Sequence, residues 1–192
     1  MDNAMSYVLA QERTAVAALP RGHFETLTKD PPPVAKRGSK ENVITYDEDW
    51  LAQLPAGSGD AQFYCLTEAL YFEARGETVE GQAAVAEVVL NRVEDPAFPN
   101  TICGVVRQTS ARGCQFSYYC DGRSDRMVDV EAKQRAEKIA MAFINGAERI
   151  QTAGATYFHT HAVRPSWSRS FEKTIQIGAH VFYRNPVRTA AS

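Results

Sequence analysis

The sequence predicts an α+β domain, with buried helices beside a small antiparallel β-sheet, behind an extended N-terminal segment. Three observations carry that prediction. Apolar residues recur at helical spacing between residues 60 and 93 and again between 130 and 145. Short aromatic stretches of alternating character follow, two of them flanking Gly178-Ala179. Between residues 30 and 59 prolines, glycines and charges dominate instead.

In chain order, residues 1–59 read as an extension and linker, disordered in part. Ala4 to Leu19 suits a helix, although its apolar positions are poorly ordered. Asp30-Pro31-Pro32-Pro33 favours an extended, polyproline-like chain, and Lys36, Arg37, Gly38, Ser39, Lys40 and Glu41 prolong the linker. Trp50-Leu51-Ala52-Gln53-Leu54 is a short apolar patch fit to dock on a domain, and Pro55-Ala56-Gly57-Ser58-Gly59 is a second break. The folded domain is expected over residues 60–185, with 186–192 as a tail.

Asp60 is the expected N-cap of a first helix running to Ala74. Leu66, Ala69, Leu70 and Glu73 share one face of it, so Glu73 lies on the face that must be buried. Gly76 supplies the stop. A second helix, Val79 to Val93, is apolar nearly all round and belongs in the domain centre. After Pro96 and Pro99, Asn100 is expected to cap a short helix from Thr101 to Gln108. A fourth helix, Val130 to Asn145, aligns Ala132, Ala136, Ile139, Ala140 and Phe143, and Gly146 closes it. Strands are expected at 115–119 and 155–160, with a hairpin of 174–177 and 180–183 around Gly178-Ala179.

Composition narrows the function. Hydrophobic residues at 44% and charged residues at 23% fit a soluble globular protein. A net charge of −2 gives no bulk electrostatic case for a nucleic-acid partner. No apolar run reaches the roughly 18 residues of a membrane-spanning helix. Asp2, Gln11, Glu12 and Arg13 interrupt any signal-peptide core, so the chain reads either as intracellular or as a mature form whose signal has been removed.

The cysteines bear on that choice. Cys65, Cys103, Cys114 and Cys120 suit two disulfides, and no CxxC pair points to zinc. Two disulfides imply an oxidising compartment; the alternative is four buried thiols in a cytosolic protein. Proximity pairs Cys114 with Cys120. Cys65–Cys103 follows partly by elimination, and would tie the start of the Glu73 helix to the short helix after Phe98-Pro99-Asn100.

The densest polar cluster is Tyr71-Phe72-Glu73-Ala74-Arg75-Gly76-Glu77. A glutamate ending an apolar face beside two aromatics is desolvated, which raises its pKa and suits a general acid. The alternative is a surface glutamate paired with Arg75. The stretch Cys65-Leu66-Thr67-Glu68-Ala69-Leu70-Tyr71-Phe72-Glu73-Ala74-Arg75-Gly76-Glu77 and the segment Glu80 to Val93 resemble the SleB-type cell-wall hydrolases, which include spore-cortex lytic enzymes. Phe98 to Val106, Cys114-Gln115-Phe116-Ser117 and Gly154-Ala155-Thr156-Tyr157-Phe158-His159 continue the likeness in order, to about Arg184. The cysteines depart from the spore enzymes and resemble cysteine-bearing Gram-negative forms, which implies an exported, periplasmic protein.

That resemblance implies a lysozyme-like fold, similar to the lytic transglycosylases, with Glu73 as the catalytic glutamate. It implies peptidoglycan glycan strands as substrate, cut at the β-1,4 bond between N-acetylmuramic acid and N-acetylglucosamine. No cofactor or metal and a monomeric state are expected. One carboxyl suffices for the transglycosylase route, whereas hydrolysis normally needs a second, for which Glu77, Glu87, Asp121 and Asp125 are candidates. Glu77 either caps the second helix or lines the cleft, and Glu87 more readily forms a buried salt bridge than acts in catalysis. Gln115, Phe116 and Ser117 are candidates to line a sugar groove. Tyr157 and His159, two apart on a strand, face one side and suit sugar rings; an ordinary sheet face is the alternative. Trp167 is a sugar platform or a plug for the sheet. His159 and His161 admit a zinc amidase or peptidase instead, although no HExxH occurs. A non-catalytic glycan-binding module is a third reading.

Overall fold

The computed structural model describes residues 44–111 and 113–186. The expectations for Ala4 to Leu19, for the proline run at 31–33 and for most of the tail lie outside them. Five helices and five strands occur among the described residues: α1 Glu48–Gln53, α2 Ala61–Ala74, α3 Val79–Glu94, α4 Ile102–Val106, β1 Thr109–Ser110, β2 Gly113–Cys114, α5 Val130–Ile144, β3 Tyr157–Thr160, β4 Glu172–Ile177 and β5 His180–Arg184. Two 3-10 turns, Ser117–Cys120 and Ser166–Arg169, complete the set. The architecture is α+β, as the sequence predicts. No helix here is long and apolar enough to cross a membrane.

Local chemistry sets the helix boundaries. The Asp60 carboxylate accepts hydrogen bonds from the backbone N–H groups of Gln62 and Phe63 at 2.9 and 3.2 Å, starting α2. The Thr78 hydroxyl accepts from Gly81 at the head of α3. Thr101, rather than Asn100, caps α4, accepting from Gly104 at 3.0 Å. A threonine one residue on reaches that amide as well as an asparagine would, so spacing alone did not choose between them. α3 is the central element: Ala83, Ala84, Val85, Ala86, Val88 and Val89 are all fully buried. Leu66, Leu70 and Phe63 of α2 and Ile139 and Phe143 of α5 complete the core around it.

Two further sequence expectations change. The stretch 115–119 is not a strand. Phe116 and Tyr118 are buried while Gln115, Ser117 and Tyr119 are exposed, so the alternation is real. An extended residue leading into a 3-10 turn produces it as well as a strand does. The folded unit also begins ahead of Asp60. Tyr46 and Leu51 are buried, and the Tyr46 ring sits 5.5 Å from Phe143 while its hydroxyl donates to the Glu148 carbonyl. Glu48 pairs with Arg135 at 2.6 Å. Gly57 passes directly against the Glu137 carbonyl, where a side chain would collide. α1 is too short to show a periodicity, and Gly57 and Gly59 after it mark close approach rather than a linker.

The sheet has the order β3-β5-β4, antiparallel throughout. Gly178-Ala179 turns β4 into β5, with Ile177 opposite His180 and Gly178 at φ +55°. Phe158 and Phe182, directly opposite on β3 and β5, face the core; Tyr157 and Tyr183 face away. Disulfides join Cys65 of α2 to Cys103 of α4, with Cα atoms 5.2 Å apart, and Cys114 to Cys120, 6.0 Å apart.

Candidate active site at the end of the Glu73 helix

Glu73 occupies the last turn of α2, partly buried. Its neighbours are fixed. The Tyr71 hydroxyl accepts from the Asp129 amide at 3.0 Å, and Phe72 stacks on Tyr118 at 4.6 Å and 24°. Burial pushes the Glu73 carboxyl above its ordinary value of 4.5, and the charge of Arg92 opposes that rise. Arg75 does not neutralise it; its guanidinium lies over the Tyr71 ring at 5.0 Å.

Arg92, near the end of α3, is a site residue that sequence reasoning missed. It is 2% exposed. Its Nε donates to the Thr156 carbonyl at 2.7 Å. Rings of Phe98, Phe116, Tyr157 and Phe158 surround the guanidinium at 5.4–5.9 Å. Nη1 has no hydrogen-bond partner among the described residues. Desolvation brings its pKa down to about 10, while Tyr157 and Glu73 act to raise it. A buried arginine with a free donor, electrostatically coupled to a raised glutamate, is the arrangement that handles developing negative charge.

A second group lies around Tyr118. Burial and then the carboxylates of Glu68, Glu73 and Asp125 drive its phenol pKa strongly upward, and its hydroxyl has no hydrogen-bond partner among the described residues. Burial likewise raises Glu68, with Arg107 opposing and Asp125 adding to the rise. Glu68 and Asp125 are therefore the carboxylates that share Tyr118 with Glu73. The other candidate acids have structural partners. Glu77 Oε2 accepts from the Ala179 amide at 3.2 Å, and Oε1 stands 3.4 Å from His180 Nδ1. His180 is held below its ordinary pKa by burial, against the pull of Glu77 and with His159 and His161 acting in the same direction as burial. Among the described residues Glu87 forms no salt bridge, contrary to the sequence expectation. Fully buried, it accepts from the amides of Gln151 and Thr152 at 2.8 and 3.0 Å and from the Thr152 hydroxyl. Asp121 accepts from the Arg123 amide.

The sheet's outer face carries an aromatic cluster. Tyr157 lies 5.2 Å from Trp167 and 4.7 Å from Phe171, and Trp167 stands edge-on to Tyr183 at 5.3 Å. The Trp167 ring thus packs against the sheet and is only partly exposed. Both ring nitrogens of His159 are engaged, Nδ1 with the Thr160 carbonyl at 2.8 Å and Nε2 with the Tyr183 hydroxyl at 3.1 Å. His161 is exposed beyond β3, and no group of three or more His, Cys, Asp or Glu gathers as metal ligands among the described residues. Gln115 and Ser117 are exposed, but Phe116 is buried under Arg92 and presents no face to a ligand.

Residues 76–183 match the family model described as cell wall hydrolase. The chain belongs to that family. It is 32% identical over 68% of its length to the spore cortex-lytic enzyme of Bacillus subtilis strain 168, and 33% identical over 67% to that of Halalkalibacterium halodurans. It spans less than half of these curated relatives, 40% and 36%. Two solved structures are similar: the catalytic domain of the germination-specific lytic transglycosylase SleB from Bacillus anthracis, at 31% identity and TM-score 0.54, covering 68% of this chain and all (100%) of that one, and the SleB catalytic domain from Bacillus cereus, at 30% and 0.51, covering 68% and 95%. In this cell wall hydrolase family member the matched segment runs from just after Glu73 through β5. Glu73, Arg92 and Tyr157 are brought together; Glu77 and Phe116 are drawn into the framework; Gln115 and Ser117 remain on the surface.

Proposed function

We propose that this chain cleaves the glycan strands of peptidoglycan at the N-acetylmuramic acid–N-acetylglucosamine β-1,4 bond, as a monomeric, exported lytic transglycosylase with Glu73 as its catalytic acid. The observation that carries the reading is the state of Glu73: a partly buried carboxyl, raised by desolvation, at the end of a rigid helix and coupled to a buried arginine. The likeness to a protein described as a lytic transglycosylase supports the same bond and the same route. Protonated Glu73 gives its proton to the glycosidic oxygen as the C1–O bond breaks. The resulting carboxylate takes the proton of the muramic acid C6 hydroxyl, whose oxygen attacks C1 and closes a 1,6-anhydro ring. One carboxyl is thus acid and then base, and ends the cycle protonated. Arg92 steadies the carboxylate between those steps. Two disulfides and a cell-wall substrate support action in the periplasm.

Glu73→Gln keeps the shape and removes the titrating proton. Mass spectrometry of digested peptidoglycan is expected to show anhydro-muropeptides with the wild type and none with this variant, at unchanged circular dichroism. Full turnover by the variant overturns Glu73; reducing-end products from the wild type overturn the transglycosylase route in favour of hydrolysis, with Asp125 and Glu68 as the next residues to test.

A further inference from the structure

A concavity of about 470 Å3 opens on the outer face of the sheet. Arg164, Arg169, Lys173, His159, His161 and Tyr183 are among the residues lining it, and among the described residues no carboxylate does. Among the described residues, none of Arg164, Arg169 and Lys173 has an ion-pair partner, whereas Arg135, Arg149 and Arg184 do. Glu172, adjacent to Lys173, is engaged by Arg184 at 2.8 Å. One side is rigid, because Tyr183 stacks on His159 at 5.2 Å and 23° with Trp167 edge-on to it. The chain as a whole has a net charge of −2, so this concentration of cations is local and not a reflection of composition. Like charges held in one concavity repel each other, and concave walls focus their field on an anion that enters.

The wall of the concavity is linked to the Glu73 site by a run of packed side chains. Arg92 couples to Glu73 and lies 5.8 Å from the Tyr157 ring, and Tyr157 lies 5.2 Å from Trp167, which borders His159. A ligand that spans both must carry neutral sugars at one end and several anionic groups at the other. In peptidoglycan the lactyl acid of the sugar is amide-linked, so the free carboxylates belong to the peptide branch. We infer that this concavity is a subsite for the carboxylates of the peptide stem, engaged while the glycan strand lies at Glu73. The inference rests on the proposed peptidoglycan reading and adds the part of the substrate that is recognised.

The test is the variant Arg164→Gln/Arg169→Gln/Lys173→Gln in the full chain, assayed on purified peptidoglycan and on the same glycan stripped of its peptides by an amidase. Exposed ion pairs are individually weak, so three together are expected to raise KM about tenfold on the peptide-bearing substrate with kcat unchanged, and to leave the stripped glycan unaffected. Equal loss on both substrates, or loss on neither, overturns the subsite. Should the wild type release no glycan fragment from either, the glycosidase reading fails, and calorimetry decides the subsite separately. Wild-type chain is titrated with soluble stem peptide and with the same peptide amidated at its carboxylates. Binding of the first alone supports the site; binding of both or of neither refutes it, whether or not the triple variant folds.

Discussion

At the scale of single residues, Glu73 and Arg92 oppose one another. Arg92 is the charge that restrains the burial-driven rise of the Glu73 carboxyl. A general acid acts while protonated, so kcat/KM is expected to fall as pH climbs through the folded Glu73 pKa, which lies above the ordinary 4.5. Arg92→Met removes the restraint and leaves burial unopposed, so the midpoint of that alkaline limb moves further up, whereas Arg92→Lys leaves it near the wild-type position. A pH–rate profile reads the midpoint independently of any loss of plateau activity, and an unmoved midpoint for Arg92→Met would sink the coupling. Glu73 is legible in the sequence because helical spacing puts it on the apolar face of α2 and the resemblance to the cell-wall hydrolases falls on it. Arg92 is not. A lone arginine after an apolar run reads as a solvated helix end, and it becomes buried only because Phe98, Phe116, Tyr157 and Phe158, from separate segments, meet over it.

At the scale of elements, the β4–β5 turn depends on a helix start. Glu77 precedes α3 and binds the Ala179 amide, and a side chain at Gly178 would run into its carboxylate. Glu77→Ala therefore leaves a turn amide without its acceptor and His180 without the carboxylate beside it. It is expected to cost about 1–3 kcal/mol in urea unfolding while KM on peptidoglycan stays close to wild type. A large rise in KM at unchanged stability would return Glu77 to the substrate-binding group. Sequence spacing located α2 and α5 by their buried stripes, α3 by an apolar run buried nearly all round, and the hairpin by Gly178-Ala179 between two short β-prone runs, since β4 is largely exposed and β5 largely buried without alternation. It failed at 115–119, where a 3-10 turn imitates strand alternation, and at α1, where six residues give no period to read.

At the scale of the whole molecule, the two disulfides are unequal. Cys65–Cys103 closes a separation of 38 residues and Cys114–Cys120 one of 6. Chain-entropy arithmetic gives the first about 4 kcal/mol and the second about 2, set against a typical stability of roughly 5–15 kcal/mol. Thermal unfolding of Cys65→Ser/Cys103→Ser and Cys114→Ser/Cys120→Ser is expected to show the larger loss in the first pair; the reverse order would contradict the loop-closure account. The long bridge is readable partly by elimination, since nothing local in the sequence brings α2 and α4 together. Along one helix, Glu87 holds Gln151 and Thr152, Asn91 donates to the Ala155 carbonyl at 2.9 Å, and Arg92 donates to the Thr156 carbonyl. Those three side chains fix the run of chain that enters β3 across sequence separations of 64 and 65 residues. In kinetic terms α3 is a jig: the hairpin can pair locally, but β3 has no defined place until that helix stands in the core. The costly loop closure therefore falls on seating the sheet, and its aromatic outer face is expected to be among the last parts of the molecule to assemble.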